Sequence, residues 1–570
     1  MPRSFDQRIS RPIINRQPQL LKASRPITYG LVVCALLGVG PSQGASGFEQ
    51  PPNIVVAGTA SSHHQQLSKK GQNMLEREAV LTDLKKLRAA LPQSAALSDA
   101  ARAKAVEELD RLEAGAGTLT RAHLIAGIAH IAALAQDGHT NLDFDQLGKV
   151  LPQLPLRFAW FADGLYVTAT TPAQQRWLGS RVETLEGQAP TRWLDLLSSA
   201  IGGTPARVRA RSPQVLITPA FLEGLGLAAS SEGLRLGLRL RSGEVFQEQV
   251  SVSAETPTQK LLPQTMPLLE RDQTRSVYQQ ELPNRAFYVG LRQIASGSEG
   301  PLPTALDQVL EAIRRSKPER VIVDLRGNGG GNYILARLFA QNLRAAAGSA
   351  RVYALTDEVT FSAAIVTLAW LRYESGARIV GSGPGDGERF YAEPLTIDLP
   401  AIGTRLYLAT QLHDWNRGCV DLKTCFWLNL FYDVPAGSLQ PDLAAQSSFD
   451  QFLASQDAVL EVALRDETPL PIPPQRVIPP LTSVPPSQQG AYCGLLLGAL
   501  GARHQREDLI QVSGLMLQQA QLAEADLAGL RARVNTEFPS VSDATVLAEL
   551  HRCGAVLAPL IIAYTLQNQP

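Results

Sequence analysis

Three segments of this chain hold residue types that can carry out covalent chemistry. The first, Val321-Ile-Val-Asp-Leu-Arg-Gly-Asn-Gly-Gly-Gly-Asn332, is an apolar run that ends in a glycine-rich loop. Glycines let backbone N–H groups turn outward at little steric cost and form a nest for negative charge. The closing Gly-Lys-Ser/Thr of a phosphate loop and the G-x-G-x-x-G of a dinucleotide site are both missing. The segment therefore reads either as an anion nest or as a tight strand-to-helix turn. The second, Arg351-Val-Tyr-Ala-Leu-Thr-Asp-Glu-Val-Thr-Phe-Ser-Ala-Ala-Ile365, places Ser362 at the start of a helix. There a serine is either an N-cap or a hydroxyl presented for nucleophilic chemistry. Such a hydroxyl needs a base, and residues 363–400 contain no Lys, which turns attention to the eight histidines. His123 and His130 are spaced along one helix, and His504 and His551 lie beyond a proline-rich stretch. His139 differs. It stands in Gln136-Asp-Gly-His-Thr-Asn-Leu142, a sharp turn after a helix, and is either a capping residue or the base.

These segments act together only if the fold brings them to one place. From Arg285 onward strands alternate with helices: Ala286–Leu291, a helix near Leu302–Arg315, Arg320–Leu325, a helix near Tyr333–Ala346, and Arg351–Leu355. That order predicts an α/β fold with a parallel, helix-covered sheet. In a right-handed βαβ unit the glycine loop after one strand and Ser362 after the next lie at the same carboxyl edge, where ligands bind. Backbone donors beside a hydroxyl at a helix start are what a nucleophile with an oxyanion hole requires. Upstream, residues 73–134 follow helical periodicity, with Leu84, Leu87, Leu109 and Leu112 on one face. Residues 151–252 change to short alternating runs with glycine turns, a sheet-rich pattern with a weak PDZ-like signal near Leu178–Pro190. Eight prolines in residues 468–488 predict a stiff linker, and residues 490–566 are helical again.

Taken together, D-G-H-T, V-I-V-D-L-R-G-N-G-G-G and L-T-D-E-V-T-F-S-A-A resemble the tail-specific (C-terminal-processing) serine proteases. The likeness is to the branch similar to the tricorn protease core and the interphotoreceptor retinoid-binding proteins, and it covers roughly residues 70–465. It implies a crotonase-like core and peptide-bond hydrolysis through an acyl-enzyme, with no cofactor and no metal. It implies Ser362 as nucleophile and His139 as general base. The oxyanion hole would be the N–H groups of Ala363 and of Gly329 or Gly330. Two positions depart from the pattern. Gly138 stands where the tricorn type has a serine before its histidine, and Gln440 stands where glutamate is common in the late G-x-x-E-P-D stretch. The group that orients His139 is thus open between Asp137 and Asp442. These departures motivate an alternative, a catalytically inactive protein that binds a peptide or an apolar ligand on the same scaffold.

Composition sets the compartment and the partners. The 570 residues carry 53 Lys+Arg and 53 Asp+Glu, a balance that argues against a nucleic-acid partner. Residues 1–25 hold six bases and one acid, followed by the apolar run Ile27–Gly40 and small residues near Ala45. This is the plan of a signal peptide, so the protein is expected to be exported, periplasmic or secreted. Removal of residues 1–45 leaves 47 bases and 52 acids. It also removes Cys34, so that an even set remains, which in an exported chain is expected to pair as Cys419–Cys425 and Cys493–Cys553, the alternative being buried free thiols. No later stretch is expected to span a membrane. The only G-x-S-x-G falls in the leader, and no H-E-x-x-H occurs. The expected organisation is a signal peptide (1–45), an N-terminal helical domain (46–148) and a PDZ-like module (149–255). A protease core (256–467), a Pro-rich linker (468–489) and a C-terminal helical domain (490–570) follow, the last a candidate for recruiting a protein partner. The substrate is expected to be a peptide or an unfolded protein.

Overall fold

The glycine-rich segment and Ser362 follow adjacent strands of one six-stranded sheet. In this computed structural model, which describes residues 75–268, 274–469 and 479–567, the expected leader and His63 and His64 lie outside the described residues. The sheet runs in the order Leu443–Ala444, Arg378–Gly381, Arg351–Thr356, Arg320–Asp324, Ala286–Leu291, Val277–Leu282. Its neighbours are parallel except for the last pair. Arg320 to Asp324 stand opposite Arg351 to Leu355 in register. On one face Tyr288, Ile322, Tyr353, Leu355 and Val380 pack with Val459, Leu460 and Ala463 of the helix Ala458–Arg465. The alternate residues Val321, Val323, Val352 and Ala354 are also buried. The helices Leu302–Ser316, Arg337–Ala347 and Ala363–Ser375 pack side by side. Burial on both faces is why these strands read as nearly continuous apolar runs rather than alternating ones.

One polar group breaks the run. Asp324, at the end of its strand, accepts from Tyr288 Oη at 2.8 Å and from the guanidinium of Arg326 at 2.6–3.2 Å. Arg326 also reaches Asp457, at the start of the helix Ala458–Arg465. Burial opposes its charge, but the two carboxylates hold its proton well above the usual range. Breaking a buried pair by removing one partner typically costs about 3–5 kcal/mol, so this ion pair anchors the base of the glycine loop.

His139 enters from a different layer. The helices Arg77–Ala90, Asp99–Ala114 and Arg121–Ala133 share one hydrophobic core with the strands Leu156–Phe161, Gly164–Thr170, Arg181–Leu185, Gly233–Arg239 and Val245–Ser251. Ser98 and Thr120 cap the second and third helices. The same core takes in Ile397, Leu399, Leu406 and Leu408 of the long hairpin Arg389–Leu399/Thr404–Asp414. Just after His139, Asn141 and Leu142 pair antiparallel with Tyr407 and Leu406 of that hairpin. The hairpin lies in the chain between the sheet strands Arg378–Gly381 and Leu443–Ala444 and so ties the His139 turn to the Ser362 layer.

The C-terminal part is helical as expected, with helices Gln489–His504, Glu507–Ala520, Glu524–Glu537 and Asp543–Gln567. Cys493 and Cys553 join the first to the last, and Cys419 and Cys425 close a short loop; both pairs have Cα–Cα 5.7 Å. Gly554 lies against the backbone of Phe431, where an added Cβ would come within 2.5 Å of the carbonyl oxygen. Tyr432 Oη donates to Gly554 O at 3.2 Å, and His551 pairs with Asp433. The end of the proline-rich stretch is packed, since Leu481 and Val484 are buried and Gln489 Nε2 donates to Leu481 O. Among the described residues the helix Asp543–Gln567, 25 residues containing an 18-residue stretch of mean hydropathy 1.6, is long and apolar enough to cross a membrane by length and composition alone. Its charges cluster in the first ten residues and mask the apolar remainder in the sequence.

Candidate functional site

Ser362 is presented by a loop clamped to its neighbour. After the strand Arg351–Thr356 the carboxylate of Asp357 accepts from the N–H groups of Gly327, Val359 and Thr360. Burial pushes that carboxyl up, against the Gly327 N–H that favours its ionised form. Thr360 Oγ1 donates to Leu325 O at 2.9 Å, and Phe361 N–H donates to Asn328 O at 3.0 Å. Held this way, Ser362 has φ 54° and ψ −124° and makes no side-chain cap hydrogen bond to its helix. An ordinary capping serine is extended, with its oxygen on the N2 or N3 amide. The capping alternative is therefore excluded by geometry. A strained backbone of this kind costs about 1–3 kcal/mol and persists only where the surroundings impose it.

Gly330 makes room for it. It has φ +111°, and a Cβ there would sit 2.7 Å from Ser362 Cβ and 3.1 Å from Ala363 N. Only glycine allows the two loops to approach this closely. Its own N–H donates to Asn328 Oδ1 at 2.9 Å. Gly330 is accordingly corrected as an oxyanion donor. The N–H of Gly329 and that of Ala363, the first residue of the helix, have no acceptor among the described residues. Asn328 is fully buried and also donates to Leu291 O at 2.8 Å. It thus fixes the loop to the sheet.

His139 lies in a ring stack. Its imidazole has centroids 4.3 Å from Phe361 and 5.2 Å from Phe390, with interplanar angles of 25° and 15°. Nδ1 is 3.4 Å from Asp386 Oδ2, and both side chains are buried. Neither ring nitrogen has a hydrogen-bond partner among the described residues, so His139 and Ser362 are not hydrogen-bonded in this state. Asp386 is the residue no motif marked. It sits in Gly383-Pro-Gly-Asp-Gly387, after the strand Arg378–Gly381, which pairs with the strand before Ser362. The carboxyl-edge rule that singles out Ser362 applies equally to this turn.

The two orienting groups expected from the sequence act elsewhere. Asp137 accepts from the backbone N–H groups of His139 (3.1 Å), Thr140 (2.8 Å) and Tyr391 (3.0 Å), so it shapes the turn. Burial, with the nearby Asp386 charge, pushes its carboxyl up to about 6. Asp442 is taken by Arg372 and by Ile379 N–H at the edge of the sheet. Gln440 is exposed and lies against Gly383. Gly138 has a local reason: a Cβ there would come within 2.7 Å of both Asp386 Oδ2 and Phe361 Cε2. Arg207 donates to Gly138 O at 3.2 Å and lies 4.0 Å over the Phe361 ring.

The stack continues from Phe390 to His413 at 5.1 Å and to Phe426 at 5.2 Å. His413, which no motif marks, is held near pH 3 by burial and by His139 and is thus neutral. Its Nδ1 contacts Asn429, which accepts from Tyr333 Oη at 3.0 Å, and its Nε2 faces Glu393 at 3.7 Å. Burial pushes the Glu393 carboxyl up to about 7. His123 and His130 bond to Thr120 and to Ser199 O. They serve structure, in keeping with their places on a helix.

Neither a family model nor a curated protein matches this sequence. Solved structures with a similar fold include mature CPAF, at 12% identity and TM-score 0.46, covering 70% of this chain and 99% of that one. The photosystem II D1 C-terminal processing protease is similar at 13% identity and TM-score 0.33, covering 66% and 98%. The tricorn protease is similar at 13% identity and TM-score 0.31, covering 68% and 36%. At these identities and TM-scores the likenesses carry no chemistry, and the chemistry below is read from the site's own residues.

Proposed function

We propose that the protein is an exported serine-type peptidase in which Ser362 is the nucleophile and His139 the general base. The observation that carries this reading is Ser362 itself: a non-glycine residue in a left-handed conformation, at a helix start, uncapped and pressed against Gly330. Such strain without a structural gain marks a group placed for chemistry. In the reaction Ser362 Oγ attacks the scissile carbonyl as its proton passes to Nε2 of His139. The N–H groups of Ala363 and Gly329 receive the developing oxyanion. Asp386, facing Nδ1, fixes the tautomer and stabilises the imidazolium that forms. The same proton then goes to the leaving amine, and water hydrolyses the acyl-enzyme along the reverse path. Contact between Ser362 and His139 forms on substrate binding, when the Phe361 ring yields; catalytic hydrogen bonds often tighten only in the complex.

The substrate is a peptide or an unfolded segment, captured as an added strand by the PDZ-like module over residues 149–255. The two cysteine pairs support an oxidising compartment. The C-terminal helices serve as a docking part for a protein partner. A fluorophosphonate probe tests the central claim. The wild type should label and Ser362→Ala should not; a folded wild type that does not label refutes the peptidase and leaves a peptide- or apolar-ligand-binding protein.

A further inference from the structure

Asp137, His139 and Asp386 come together in space. One donor atom from each lies within 4.8 Å of the others, and all three residues are buried. The His139 Nδ1–Asp386 Oδ2 separation of 3.4 Å is longer than an ordinary N–H···O hydrogen bond. It matches the edge of a tetrahedron, about 3.4 Å, around an ion with bonds of about 2.1 Å to nitrogen and oxygen. Both imidazole nitrogens and Asp386 Oδ2 are buried without a hydrogen-bond partner among the described residues. Buried polar atoms are rarely left so. We infer that these three residues form a binding site for a divalent transition-metal cation of the Zn2+ class, and that its occupancy silences the His139 base.

The donor set selects the class, because one imidazole with two carboxylates suits zinc and its neighbours, whereas calcium and magnesium prefer oxygen alone. Charge favours a cation too. Two carboxylates face one fixed positive charge, Arg207, which is tied to Gly138 O and the Phe361 ring. The outer shell is already built. Three backbone N–H groups orient Asp137, and the rings of Phe361 and Phe390 screen the imidazole. Glycine at 138 keeps the space beside Asp386 Oδ2 free of a side chain.

Inhibition follows from proton placement, and this part rests on the peptidase reading. A cation bonded to the Nδ1 lone pair leaves the ring proton on Nε2, which then has no lone pair to accept the proton of Ser362. The test uses the metal-stripped chain carrying Ser362→Ala, with Zn2+ titrated against a chromophoric chelator and Co2+ followed by its visible absorption. One equivalent should bind. Asp386→Asn and His139→Gln, each checked for native circular dichroism, should weaken binding at least about 30-fold, within the range known for disturbed metal shells. Absence of binding, or affinity unchanged in both variants, overturns the site. In the wild type, Zn2+ should block fluorophosphonate labelling and EDTA should restore it. Equal labelling with the site filled overturns the inhibitory role. A metal-free wild type that never labels refutes the peptidase reading while the Ser362→Ala titration still decides the site.

Discussion

Replacing Asp386 by Asn keeps the side chain's size and removes the charge that faces His139 Nδ1 at 3.4 Å. When Ser362 gives up its proton the imidazole becomes a cation. Its attraction to a carboxylate at that distance is roughly 5 kcal/mol at an effective dielectric constant of about 20. Arg207 opposes this charge from nearby and Asp137 offers a second carboxylate, so the loss on removing Asp386 alone lies between about half of that figure and the whole. At about 1.4 kcal/mol per decade, kcat/KM should fall by roughly a hundredfold to a few thousandfold. The amide also offers an N–H toward Nδ1, which favours the wrong tautomer. The assay is hydrolysis of a quenched peptide by wild type, Asp386→Asn and Asp442→Asn. The last should stay within about threefold of wild type, because Asp442 is held by Arg372 and Ile379 away from the ring. A folded Asp386→Asn that keeps more than a tenth of the activity, or an Asp442→Asn that falls as far, refutes the assignment of the orienting group.

Other perturbations test the supports of the site. Gly138→Ser, which installs the serine of the tricorn type, should lower peptide hydrolysis by about tenfold or more rather than raise it. Its Cβ would displace Asp386 or Phe361, and a misplacement of 1 Å can cost a hundredfold. Asn328→Ala leaves Gly330 N–H and Leu291 O unpaired, so the urea midpoint should report a loss of about 2–3 kcal/mol. Glu393 has its carboxyl raised to about 7 from an ordinary 4.5. Its stability contribution is intact below pH 4.5 and is lost as pH rises through 7, because the folded state resists its ionisation. Glu393→Gln should flatten that decline by up to about 3 kcal/mol, read from urea midpoints at pH 5 and pH 8. Replacing both Cys493 and Cys553 by Ala opens a link between residues 60 apart. Chain entropy puts the loss at about 4 kcal/mol, which calorimetry should show as earlier melting of the C-terminal helices.

The parallel sheet was legible because its strands are buried on both faces, which writes Val321-Ile-Val and its neighbours as apolar runs between helical periods. The loop after each strand was legible for the same reason, and with it Ser362 and the glycine segment. The partner of His139 was not. A carboxylate two positions away, Asp137, is the natural local choice, yet over so short a span it reaches backbone N–H groups rather than the ring. Asp386 stands 247 positions further along and arrives only because its strand lies beside the strand before Ser362 and because the hairpin 389–414 grips the His139 turn. The glycine at 138 looks in sequence like a lost serine and proves in three dimensions to be room for that carboxylate.

By itself, then, the sequence determined what local forces decide: strands and helices, their alternation, the cysteine pairing by order, and the two residues singled out for chemistry. Tertiary structure alone decided that Ser362 does not cap its helix, which glycine N–H lacks an acceptor among the described residues, and which acid faces the imidazole. Each of those depends on contacts between segments far apart in the chain, where a backbone angle or a 3.4 Å separation is set by packing that no local pattern records.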